Sequence, residues 1–135
     1  MRSVMSLLLA FVVAAQAALA MTLQDVPDRV RNAALRAVPG VVLKSVSTEV
    51  ENGVTIYEFA AEKDGAKLEI DVDEKGELQE VEWPCDRPDL PPKVRETLDR
   101  VAPGFMGVME RSERPRGVVV YEFEGVSRGA PVEIE

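Results

Sequence analysis

Gly53-Val54-Thr55-Ile56-Tyr57-Glu58-Phe59 returns sixty-four residues later as Gly117-Val118-Val119-Val120-Tyr121-Glu122-Phe123. Both stretches are rich in β-branched and aromatic residues behind a glycine, which is how a strand leaving a turn reads. The same shift carries the match outward in both directions. Upstream, Pro27, Val30, Arg31, Arg36, Pro39-Gly40 and Glu49 fall on Pro91, Val94, Arg95, Arg100, Pro103-Gly104 and Glu113. Downstream, Gly65-Ala66 and Glu69-Ile70 fall on Gly129-Ala130 and Glu133-Ile134. No gap is needed. Self-similarity at a fixed offset marks an internal structural repeat.

One copy gives the expected fold. Val26, Val30, Ala33, Ala34, Ala37 and Val38 recur at helical spacing. Asp25 is the expected N-cap, Pro27 falls in the first turn, where its missing N–H costs little, and Pro39-Gly40 is the stop. In the second copy Leu90, Val94, Leu98 and Val101 repeat the stripe ahead of Pro103-Gly104. After the helix the period becomes two. Val42, Val46, Thr48 and Val50 suggest a strand, Asn52-Gly53 a hairpin turn, and 54–61 a second strand. Leu68, Ile70 and Val72 alternate with charged residues as a third, half-buried strand, and Leu78 to Trp83 form a short fourth. The expected class is α+β: two tandem α-β-β-β(-β) repeats, each helix packed on one side of an antiparallel sheet that is continuous or closely apposed.

The boundaries follow. Residues 1–20 read as a signal peptide, 21–83 as the first repeat, 84–89 as a polar, proline-bearing linker, and 90–135 as the second repeat. The counterpart of Leu78–Trp83 would begin near position 142, so the second repeat is expected to lack its last strand, either by nature or because the chain is a fragment.

The first twenty residues carry Arg2, an apolar run from Leu7 to Ala15 and the A-x-A site Ala18-Leu19-Ala20. Ala15-Gln16-Ala17 is a second candidate cleavage site. The apolar core is short for a bilayer span, so export to the periplasm or medium is expected, with no transmembrane segment after cleavage. Losing Arg2 and no acid takes the formal charge from −8 to −9. That balance speaks against nucleic acid, whose binders carry basic patches.

These residues resemble the PepSY-like family, the group described as β-lactamase-inhibitor-like domains. The likeness rests on the Pro-x-x-Val helix start, the Pro-Gly stop, the Tyr-Glu-Phe strand and the turn Val72-Asp73-Glu74-Lys75-Gly76 ahead of another strand. The resemblance implies an exported protein with a helix on an antiparallel sheet, often in tandem. Related domains occur in protease propeptides and in a secreted β-lactamase inhibitor. Fold alone does not assign that activity here.

No constellation suggests catalysis. The chain has no histidine, which removes the commonest general base near neutral pH and the commonest metal ligand. Ser45, Ser47, Ser112 and Ser127 therefore have no imidazole to activate them. Asp71, Asp73, Gly76 and Glu82 mimic the spacing of a calcium loop, but Lys75 stands where an oxygen ligand belongs and the flanks read as strands. No metal and no cofactor is expected. Cys85, the lone cysteine, reads as an incidental linker thiol, with a reactive thiol or a residue that pairs between chains as the competing readings. Tyr57, Phe59, Tyr121 and Phe123 are the candidate partner-binding residues; the competing reading packs them under the helices, because small units need every aromatic for their core. Glu58 and Glu122 should point the opposite way. Two functions remain: a non-enzymatic module that inhibits or chaperones another exported protein, or an envelope sensor of a small ligand or cation.

Overall fold

The computed structural model describes residues 21–135; the signal-peptide reading of 1–20 lies outside them. The described chain runs α1 (Asp28–Ala37), β1 (Val42–Glu51), β2 (Val54–Lys63), β3 (Ala66–Asp73), β4 (Leu78–Pro84), α2 (Pro92–Val101), β5 (Met106–Arg114), β6 (Val118–Ser127) and β7 (Ala130–Ile134). All seven strands join one antiparallel sheet in sequence order. The α+β expectation holds, and the sheet is continuous.

Register shows which side the helices take. Phe59 lies opposite Ile70, Ile70 opposite Val81, and Val81 opposite Glu113. Trp83 lies opposite Arg111, and Arg111 opposite Tyr121. Directly paired residues share a face. Phe59, Ile70 and Val81 form the floor of the core under α1 with Val30, Ala33 and Ala34, and Trp83 packs at its margin. Tyr121 packs against a second core built on Leu90, Leu98, Ala102, Phe105 and Phe123. Both helices therefore cover the same face.

Several local expectations shift. Asp25 does not cap α1. Its carboxylate accepts from the Thr22 backbone N–H (3.2 Å) and hydroxyl (2.6 Å), closing a separate 3-10 turn over Leu23–Asp25, and Pro27 takes the N-cap position. Val101 is half exposed, and Ala102 replaces it in the core. The 84–89 linker is not free. Pro84 ends β4, the Cys85 N–H donates to the Met109 carbonyl (3.0 Å), and Arg87–Asp89 form another 3-10 turn.

The gapless alignment conceals two opposed shifts. Val42 pairs with Glu62, and Met106 with Val126, as the offset requires. A bulge between Leu43 and Ser45 then adds one residue to β1. At the far end Glu51 pairs with Val54 across a two-residue turn, while Arg114 pairs with Val118 across three residues. Arg114 is thus the spatial counterpart of Glu51, and Ser112 of Glu49. A bulge in one unit is matched by a longer turn in the other.

Candidate functional site

The face opposite the helices is uncovered by any other described element, and carboxylates dominate it. One cross-strand row runs Ser47, Glu58, Asp71, Glu80. The next runs Ala60, Glu69, Glu82, Ser112, Val120. A third places Pro84, Glu110 and Glu122 side by side. Strand alternation puts them there, since each acid sits between residues of the opposite face.

The consequence is electrostatic. Asp71 is pushed up to about 9, first by burial and then by Glu69, Glu58, Glu80 and Glu82. Its Oδ1 is shielded from solvent and accepts no hydrogen bond from the described residues. Burial, followed by Glu80 and Glu110, lifts Glu82 to about 8. Glu69 is raised by burial and then by Glu58. Glu49 rises to about 7 because it shares a hydrogen bond with Glu51, with burial and Glu58 adding to the effect.

Lys44, paired with Glu62 (3.3 Å), and Lys67, opposite Glu62, lie toward one end of this face, and Arg114 is set among its carboxylates. Arg114 Nε donates to Glu80 (3.1 Å), Nη2 to Glu122 (2.8 Å) and Nη1 to Glu135 (2.9 Å). Glu80 also accepts from the Ser112 hydroxyl (2.6 Å). Glu122 is still raised, by burial and then Glu80, with Arg114 opposing. Two carboxylate triads could face a cation, with oxygens within 4.8 Å of one another: Glu58, Glu69 and Asp71, and Glu80, Glu82 and Glu122. The Arg114 guanidinium already holds two members of the second.

The aromatic candidates fall on the helix side. Phe59 is fully buried, and Phe123 is buried edge-to-face against Phe105 with centroids 5.8 Å apart. Neither can reach a partner. Tyr57 and Tyr121 are half-buried at the core margins. Tyr121 also lines a groove of about 530 Å³ between α2 and β6–β7, with Val94, Leu98, Val119, Phe123 and Ile134. Glu58 and Glu122 do point the other way, as alternation required.

Asp73, Ser47 and Ser127 have structural partners. Asp73 is buried and accepts from the Lys75 and Glu77 backbone N–H groups (2.9 Å each) and from Gln79 Nε2 (3.2 Å). The calcium-like spacing is thus a turn that folds its own carboxylate inward. Arg29 Nε donates to the Glu74 carbonyl (2.7 Å), docking this turn beneath α1. The Ser127 hydroxyl donates to the Pro103 carbonyl (2.8 Å), and that of Ser47 to Glu58 (3.1 Å). The Cys85 thiol is half-buried and raised, by burial and then by Asp89 and Asp86, so it is a poor nucleophile. Taken singly, the acids of the helix-free face read as an ordinary solvated acidic surface; their crowding across strands comes from register. The signal for it was present in Glu58, Glu69, Asp71, Glu80 and Glu82, which alternate with the core positions of three consecutive strands.

Comparison with known families identifies a PepSY domain, described as peptidase propeptide and YPEB domain, over residues 15–75. The match runs through α1 and the first three strands and ends in the Asp73–Gly76 turn. No curated protein matches the chain. No helix among the described residues is long and apolar enough to cross a membrane.

Proposed function

We propose that this chain, PepSY-like in its first unit and built on the same pattern in its second, is an exported non-catalytic module that binds another exported protein as an inhibitor or folding partner. The observation that carries the reading is the PepSY match, since that domain is a propeptide- and inhibitor-like module. The chemistry is consistent with it. The chain has no histidine, and Ser112 and Ser127 are buried with their hydroxyls donating to fixed acceptors. A propeptide-like module works by presenting a preformed surface, which seven paired strands supply.

The test is affinity capture from the exported protein fraction with the tagged full chain, followed by titration of the captured protein's activity. One dominant partner is expected, with its activity or refolding yield changing up to equimolar chain. Retention of nothing above an unrelated acidic bait would sink the reading. A second reading, a cation sensor, is favoured by the two carboxylate triads. It predicts instead a calcium- or magnesium-dependent rise in melting temperature without any protein partner.

A further inference from the structure

The two units treat the same pair of carboxylates differently. Glu122 on β6 and Glu135 beside β7 in the second unit correspond to Glu58 and Asp71 in the first. In the second unit the Arg114 guanidinium spans that pair, one nitrogen to each carboxylate. The spatial counterpart of Arg114 in the first unit is Glu51. The sign is reversed. Glu58 and Asp71 therefore keep their places without the cation, and Glu51 and Glu49 add further acid beside them. Among the described residues no salt bridge reaches Glu49, Glu58, Glu69, Asp71 or Glu82.

We propose that the helix-free face of the first unit docks an arginine-bearing segment of the protein partner, with a guanidinium seated over Glu58 and Asp71 as Arg114 sits over Glu122 and Glu135. The inference rests on the protein-binding reading above and names the chemistry of the partner. Charge complementarity is its basis: an uncovered acidic face meets a cationic segment. Arginine is specified over lysine because Arg114 uses three separate nitrogens in one plane to hold three carboxylates, and an ammonium offers no such fork. A docked guanidinium would also bring a donor to the unpartnered Asp71 Oδ1. It would relieve the mutual repulsion of Glu58, Glu69 and Asp71.

The experiment titrates the full chain with a capped heptapeptide alternating threonine and arginine, and with its lysine counterpart, followed by backbone amide shifts and calorimetry. Shifts should concentrate at Glu58, Glu69, Asp71 and Glu82, and the arginine peptide should bind more tightly than the lysine peptide. Glu58→Gln with Asp71→Asn should weaken binding about tenfold or more. Glu51→Arg, which gives the first unit the guanidinium of the second, should weaken it comparably while leaving the melting temperature equal or higher. Asp64→Asn with Glu96→Gln neutralises two carboxylates elsewhere on the chain and should leave affinity within about twofold. Equal losses in the two double variants would overturn the proposal in favour of diffuse attraction. Displacement of the peptide by about 1 mM calcium or magnesium, with the same residues shifting, would overturn it in favour of a cation site. In the capture experiment, undiminished retention of the same partner by Glu58→Gln/Asp71→Asn would defeat this docking site and leave the binding-module reading standing. Failure of the unaltered chain to retain any partner would defeat the module reading itself.

Discussion

Helix α1 rests on Phe59, Ile70, Val72 and Val81, in a cluster of thirteen buried apolar residues that includes its own Val30, Ala33 and Ala34; α2 rests chiefly on Phe123, in a cluster of five. On the opposite face the balance turns over. There the second unit has Arg114 bound to three carboxylates, and in the first Lys44 pairs with Glu62 while no salt bridge reaches Glu58, Glu69 or Asp71. One sheet thus carries a well-filled unit with an unsatisfied charged face beside a lightly filled unit with a satisfied one. The comparison separates two tasks that a single small unit would have to combine. Burying apolar area is the main stabilising term. Holding like charges together costs stability.

Core truncation should break the comparison most visibly. Phe59→Ala removes a fully buried ring from the larger core and is expected to cost about 3–5 kcal/mol. Phe123→Ala, beside a groove that can partly collapse, should cost no more than the low end of that range. Denaturant titration of both variants checks the order, and a larger loss at Phe123 would reverse the assignment of the stronger half.

Hydrogen exchange sharpens the same contrast. β7 is an edge strand, as β1 is at the other side, and lies over the smaller core, so amides in 118–135 should exchange faster than those in 54–84. Equal protection of the two spans would show that the continuous sheet evens out the difference in burial.

Charge gives the next effect. Asp71 at about 9 and Glu82 at about 8 lie well above their ordinary range. The folded chain therefore holds protons that the unfolded chain has released, and stability falls as pH rises from about 4 through about 9. The groups facing Asp71 are Glu58 on β2, Glu69 on its own strand, and Glu80 and Glu82 on β4; Arg114 is engaged with Glu80. The melting temperature should be several degrees higher at about pH 5 than at about pH 8, and Asp71→Asn should flatten that slope. An unchanged slope in the variant would place the pH dependence elsewhere. Arg114→Gln should add to the slope and lower stability near neutral pH by about 1 kcal/mol, because Glu80, Glu122 and Glu135 lose their shared cation. The smallest effect belongs to Cys85→Ser, within about 0.5 kcal/mol, with slow alkylation of the native thiol as its companion measurement.

The sequence disclosed the elements and their order because periodicity and turn residues are local signals. Val30, Ala33 and Ala34 announced α1, and Asn52-Gly53 announced the first hairpin. Two things escaped it. The pairing of Val81–Pro84 with Glu110–Glu113, which fuses the units, is a contact across a helix and has no local signature. The counterpart of Arg114 was hidden as well, since the bulge after Leu43 and the longer turn at Pro115–Gly117 cancel in length. Read without a gap, Arg114 falls on Val50, whose side chain belongs to the helix face; only register moves it onto Glu51. The aromatic candidates divided by the same rule. Phe59 and Phe123 sit at the centres of their cores, while Tyr57 and Tyr121 lie two residues earlier, at the margins.

Strand β4 is interior by position but has the makeup of a border. It is short, carries Glu80 and Glu82 on one face, and ends in Pro84, which has no N–H to offer a neighbour. Such features guard exposed strands against sticking to other chains. A sheet divided along this line would leave the first piece with a rim that resists aggregation.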